Sequence, residues 1–180
     1  MKRLALMLCL LAAPALSETC PAAPDHTSAL DALIAQAQDA PNEMAARPLA
    51  NRMWQLWATA PDARAQDLLD RGMRRRAAAD YAAARADFEA LIAYCPDYAE
   101  GYNQRAFVSF LTGDYAAAVK DLDRALALSP RHIAAMSGKA LSLLGLRRDD
   151  EAQEVLRAAL ALNPWLSERR FLTEPPGQEL

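Results

Sequence analysis

The chain has 180 residues, a net charge of −3, an apolar fraction of 53% and only 6 glycines. A mildly acidic chain with charges of both signs interspersed offers no electrostatic footprint for nucleic acid or an anionic lipid surface. The length suits one domain with its own core, and the alanine-rich, glycine-poor composition, without alternating β-branched runs, points to an all-α protein rather than a sheet.

In chain order, Met1-Lys2-Arg3 is a basic head, residues 4–16 are an apolar run, and Ala15-Leu16-Ser17 supplies small residues before a cut. This is the secretory signal pattern, and the run is too short to span a bilayer. Cleavage is expected after Ser17, with Ala15 as the alternative. Glu18 and Thr19 before Cys20 do not resemble a lipoprotein processing site. The expectation is a periplasmic or secreted protein with no stable membrane insertion after cleavage. Within residues 18–64, segments 28–38 and 43–59 read as a helical hairpin. Leu30, Leu33, Ile34 and Ala37 form one apolar stripe, and Met53, Trp54, Leu56 and Trp57 form another.

From residue 65 the sequence repeats every 34 residues. Pro96, Pro130 and Pro164 share one register; Gly72, Ala106 and Ala140 share a second. Ala84, Ala118 and Ala152 share a third, and Phe88, Leu122 and Leu156 a fourth. A fixed period of this length marks stacked units, none of which can bury its apolar face alone. The units are 65–98, 99–132 and 133–166. Each opens with a helix whose apolar or small residues recur at three- and four-residue steps, as with Tyr102, Ala106, Phe107 and Phe110, or Met136, Ala140, Leu143 and Leu144. A turn follows, clearest at Thr112-Gly113-Asp114-Tyr115, and a second helix then runs to the residue before proline. The small residues allow two antiparallel helices to cross closely, and the larger ones fill space toward the next unit.

These positions resemble the tetratricopeptide repeat, a 34-residue helix–turn–helix. The first unit carries Leu68, Gly72, Tyr81, Ala84, Phe88 and Pro96. The second carries Tyr102, Ala106, Tyr115, Ala118, Leu122, Ala125 and Pro130, and the third Met136, Ala140, Ala152, Leu156, Ala159 and Pro164. Three departures stand out. Leu91 sits where the others have Ala125 and Ala159, Arg75 replaces a large apolar residue, and Asp149 stands where Tyr81 and Tyr115 suggest an aromatic. The resemblance implies a right-handed α-solenoid of antiparallel hairpins. Pro61 falls one residue off the period, so 18–64 is expected to be an arm followed by a degenerate hairpin capping the N-terminal end. In the tail, 167–180, a turn of helix is expected to lay Phe171 and Leu172 over the last repeat, with the final residues disordered.

The resemblance also implies that the first helices line a concave face on which partner segments lie. The positions concerned are Gln66, Leu69, Met73 and Arg76, then Asn103, Phe107 and Phe110, then Ser137, Leu141 and Leu144. This set is mostly apolar. It does not match the Lys–Asn ladder by which some family members clamp a C-terminal carboxylate. An apolar or amphipathic helical segment is therefore the expected ligand. The competing reading is that Phe107 and Phe110 are buried against a neighbouring hairpin.

Arg71, Arg105 and Lys139 recur in register, with Asp87 and Asp121 following the first two at 16 residues. We expect ion pairs between first and second helices rather than an anion-binding ladder. In the third unit Val155 replaces the acid, so Lys139 is expected to turn to Glu154 or water.

No glycine-rich phosphate loop, His-Glu-x-x-His motif or nucleophile elbow is present, and the only histidines are His26 and His132. No enzyme activity, cofactor or metal is assigned. Cys9 falls in the signal segment, which leaves Cys20 and Cys95, an even number in an oxidising compartment. In an up-down stack both lie at one end, so a Cys20–Cys95 bridge is expected, with free or intermolecularly paired thiols as the alternative. A Cys2His2 metal site there lacks short ligand spacing and competes with the bridge. The expected function is a non-enzymatic interaction module, scaffold or chaperone-like, for another envelope protein or peptide segment. The alternative is a self-associating structural protein using Trp165, Leu166, Phe171 and Leu172.

Overall fold

The computed structural model describes residues 19–173. The expected signal segment with its cut after Ser17, and the last seven residues of the tail, lie outside the described residues. The helices are α1 (Thr27–Gln38), α2 (Glu43–Trp57), α3 (Ala63–Ala77), α4 (Tyr81–Tyr94), α5 (Ala99–Leu111), α6 (Tyr115–Leu128), α7 (Ile133–Gly145) and α8 (Asp149–Leu162), followed by a short 3-10 helix, Ser167–Phe171. No strand occurs among the described residues, and the architecture is an α-helical repeat solenoid. No helix among them is long and apolar enough to cross a membrane.

Local sequence sets the helix ends. Asp62, Asp80 and Asp114 each accept the amide three residues on, at 2.8, 3.3 and 3.1 Å, which satisfies an N-terminal donor that the helix leaves free. Helix α8 lacks such a cap. Instead its first turn carries Asp149, Asp150 and Glu151, favourable at the positive end of the helix dipole. The prolines push Cys95, Ser129 and Asn163 out of helical geometry, and α4, α6 and α8 stop there. Between the helices of each unit the backbone goes left-handed at one position: Ala79 (φ 59°), Gly113 (φ 79°) and Arg147 (φ 60°). All three turns close alike. The next amide reaches a carbonyl five residues back, as Asp80 to Arg75, Asp114 to Ser109 and Arg148 to Leu143, at 2.9–3.0 Å.

The crossings show why the period alternates small and large residues. Ala84, Ala118 and Ala152 are buried where the paired helices meet, and Phe88, Leu122 and Leu156 fill the space beside them. In the first unit the crossing residue is Gly72, against which the Phe88 ring lies flat enough that a Cβ would sit 2.5 Å from its Cε1. The second and third units pair alanine with leucine at these positions instead.

The α1–α2 hairpin departs from the expectation. It is not stacked as a cap on the first unit. Its apolar side, formed by Leu33, Ile34, Ala37, Met53 and Trp57, packs on Ile133, with Leu162 and Leu166 alongside. Polar contacts bind it to the far end: Gln38 Nε2 donates to Ala161 O at 2.7 Å, Arg169 pairs with Glu43 at 2.9 Å, and Arg131 pairs with Asp31. The apolar stripes needed burial, as the pattern required, but found it on the third unit. The tail also differs. Gln153 holds the backbone of Phe171 and Thr173 at 2.9 and 2.8 Å, while the Phe171 and Leu172 side chains stay exposed.

Candidate functional site

Six of the ten concave-face positions surround one cleft of about 370 Å³: Arg76, Asn103, Phe107, Phe110, Ser137 and Leu141. The other four do not reach it. The loop that leaves α2 comes down on the first unit, so Leu69 is buried in a core with Ala60, and Met73 packs against that core. Gln66 clamps the same loop, donating to Ala58 O at 3.2 Å and accepting from Ala60 N at 2.9 Å. Leu144 turns away to pack beside Val119, Leu143 and Ala152.

Phe107 is 44% exposed, so it is not a core residue buried by its neighbour. Phe110 is half-buried, its ring 5.5 Å from that of Tyr115. The opposite wall comes from outside the first helices. Trp54 on α2, itself 42% exposed, completes the cleft with Leu166 and Glu168. Sequence reasoning missed this wall because it placed the hairpin at the other end. The available signal was the pair Trp54 and Trp57, three residues apart on one helix. Trp57 is buried and Trp54 is left facing the cleft.

Beneath the cleft lies a buried polar network. Glu100 is almost fully buried. It accepts from Asn103 Nδ2 at 3.0 Å, from Gln104 Nε2, and from His132 Nε2 at 2.8 Å. His132 Nδ1 accepts the Ala135 amide at 3.3 Å, which fixes the tautomer that donates to Glu100. Arg76 donates in turn to Gln104 Oε1 and lies over the Phe107 ring at 4.4 Å. Burial draws the Arg76 guanidinium below its usual range, and the Glu100 carboxylate partly offsets this. Burial, then Glu100 and Asp70, push the Tyr98 phenol well above its ordinary value. Its hydroxyl donates to Trp57 O at 2.7 Å. The Trp57 ring stacks on His132 with centroids 4.3 Å apart. Hairpin and repeats are thus joined through the network that underlies the cleft.

The basic series pairs within its units. Arg71 and Arg75 both hold Asp87 at 2.8 Å, and Arg105 holds Asp121 through two bonds of 2.8 and 2.7 Å. Arg75, a departure from the repeat pattern, therefore serves the same acid as Arg71. Lys139 corrects the expectation. It turns to Asp123 of the preceding unit at 2.6 Å, because α6 packs beside α7 and presents that carboxylate first. Cys20 and Cys95 are joined, with Cα atoms 5.2 Å apart, which fixes the arm ahead of α1 to the end of α4. His26 and His132 both border a second hollow at that end, lined also by Trp57, Tyr98 and Glu100.

A tetratricopeptide repeat family model matches residues 109–164. A TPR repeat-containing protein of Rhizobium etli is 36% identical over 86 residues, covering 48% of this chain and 36% of that protein. Tetratricopeptide repeat protein 36 of Xenopus tropicalis is 34% identical over 118 residues, covering 62% and 57%. The chain therefore spans less than two thirds of either relative. Among solved structures, the first TPR of Spaghetti (RPAP3) bound to HSP90 peptide SRMEEVD superposes with a TM-score of 0.58 at 22% identity, over 60% of this chain and 90% of that one. The 34-residue period, the stacked hairpins and these likenesses together show that the chain contains tetratricopeptide repeats, with the family model matching residues 109–164.

Proposed function

We propose that the protein is a non-enzymatic interaction module that binds an apolar or amphipathic segment of a partner protein in the cleft between α2 and the first helices of the second and third units. One observation carries this reading: Phe107 and Trp54, both large and substantially exposed, border a single concave cleft. Large aromatic groups open to a concavity are the kind of anchor that binding clefts use. The similar fold of Spaghetti's first TPR, which holds an HSP90 peptide, supports a peptide-like ligand here. Placement in the envelope, with another envelope protein as partner in a scaffold or chaperone-like role, belongs to the same proposal. Its support is the signal pattern at the start of the chain and the paired Cys20 and Cys95. Of the residues in the self-association alternative, Leu166 packs against the hairpin, while Phe171 and Leu172 remain exposed.

A photo-crosslinker installed at Phe107, and separately at Trp54, in cells producing the full chain tests the reading. The same partner adduct is expected from both positions and none from Arg157, which is exposed on α8. Adducts from Arg157 with silence at both cleft positions would show that the wrong face has been chosen.

A further inference from the structure

Three serines are buried on the first helices: Ser109, Ser137 and Ser142. Two of them spend their hydroxyls on their own helix. Ser109 donates to Arg105 O at 3.2 Å, and Ser142 donates to Gly138 O at 2.8 Å. Ser137 does not make the equivalent bond. It is 7% exposed, its Oγ has no hydrogen-bond partner among the described residues, and it borders the cleft. A buried hydroxyl without a partner is unfavourable, and native structures rarely leave one without a reason.

Its surroundings define what would satisfy it. The cleft presents Phe107, Phe110, Leu141 and Trp54 as apolar walls, Arg76 and Glu168 as its charged groups, and Ser137 with an unpartnered buried hydroxyl. The matching side chain has an aromatic body and a hydroxyl at its tip. The adjoining hairpin seam already seats such groups. Trp57 lays its ring on His132, and the Tyr98 phenol is paired with Trp57 O. At the cleft, Arg76 spends one donor on the amide of Gln104 and lies within the field of the buried Glu100 carboxylate; its remaining guanidinium N–H groups favour an acidic residue in the incoming segment.

We propose that the cleft is a tyrosine-accepting pocket, in which Ser137 pairs with the phenol of a partner segment and Arg76 faces a neighbouring carboxylate. The inference rests on the groove-binding reading above and adds the chemistry of the ligand. Ser137 is then the residue that distinguishes tyrosine from phenylalanine, because a site built to bond a hydroxyl discriminates against the analogue that lacks it.

The test titrates the full chain with two probes, acetyl-Tyr-Glu-amide and acetyl-Phe-Glu-amide, following the Trp54 indole N–H and the Ser137 amide by NMR. The tyrosine probe is expected to bind about fivefold tighter, the worth of one net hydrogen bond. Ser137→Ala should reduce its affinity to that of the phenylalanine probe and leave the latter unchanged. Arg76→Gln should weaken both probes alike. Equal binding of the two probes to the wild type, with Trp54 shifting, overturns the tyrosine assignment and leaves the groove reading standing. A tyrosine preference that survives Ser137→Ala overturns it too. No shift at Trp54 with either probe overturns both readings.

Discussion

Gly72→Ala and Gly138→Ala make the same chemical change on two first helices, yet they should move stability in opposite directions. Replacing a helical glycine by alanine is favourable by about 1 kcal/mol where the new methyl has room. At Gly138 it has room: a Cβ would meet Leu122 methyl carbons at 3.4 and 3.5 Å, ordinary contact. At Gly72 it would lie 2.5, 2.8 and 2.9 Å from three atoms of the Phe88 ring, which is fully buried and has nowhere to swing. Overpacking of that kind costs about 1–3 kcal/mol, and a Cβ at 2.5 Å from a fixed ring calls for the upper part of that range, so Gly72→Ala should be net destabilising by up to about 2 kcal/mol after the helix gain. Gly138→Ala should stabilise by about 0.5–1 kcal/mol. The other units also suggest the rescue. Phe88→Leu on the Gly72→Ala background recreates the Ala106–Leu122 and Ala140–Leu156 pairs. The double variant should therefore recover about 1–2 kcal/mol relative to the sum of the single changes. Urea unfolding reads all four proteins as shifts of midpoint at constant slope. A stabilising Gly72→Ala, or a Phe88→Leu that adds its full cost to it, would refute the claim that crossing residue and filler are matched within each unit.

The remaining predictions concern the turns, the ion pairs and the bridge. Ala79→Gly and Arg147→Gly should each raise stability by about 0.5–1 kcal/mol in thermal melts, since a left-handed backbone disfavours residues with a Cβ, whereas Gly113→Ala should lower it. A double-mutant cycle on Arg105→Ala and Asp121→Ala should give a coupling of about 1–2 kcal/mol, because the pair is bidentate and Asp121 is buried. The Arg71–Asp87 cycle should give less, since Arg75 still holds that acid when Arg71 is removed; equal couplings would contradict the shared arrangement. Cys20 and Cys95 enclose a sequence separation of 75, for which loop-closure entropy alone gives about 4.5 kcal/mol as the stability lost in Cys20→Ser. Thiol counting on the unfolded, unreduced mature protein, from which Cys9 has been removed, should find neither Cys20 nor Cys95 free, and two reactive thiols would remove the bridge.

Much of the fold was legible because the period couples several independent signals at each position. Pro96, Pro130 and Pro164 stop helices through a local steric effect on the residue before each of them. Gly72, Ala84 and Phe88 form a matched set whose sizes can be read without coordinates. The destination of the α1–α2 hairpin was not legible. An apolar stripe states that a helix face is buried and is silent about which surface buries it. Leu33, Ile34 and Trp57 would have satisfied the pattern equally well against α3. The same ignorance propagated into the candidate site: Trp54 was left out of the cleft, and Leu69 was credited to it although the descending loop covers that position. Lys139 misled for a related reason. Its register suggested a partner within its own unit, while packing set Asp123 of the preceding one closer.

The strap formed by α1 and α2 has a consequence for how the solenoid can change. An open stack tolerates gain or loss of a unit, since each contacts only its neighbours and the free ends simply move apart. Here the segment entering the first unit is also buttoned onto the last, through Ile133, Leu162 and Arg169. Inserting a fourth repeat would carry that anchorage out of the hairpin's reach, and deleting one would crowd it. The number of units is therefore tied to the length of the strap. The width of the cleft is tied to it as well, because Trp54 on the strap and Phe107 on the repeats stand on one cleft and are held apart by that same anchorage.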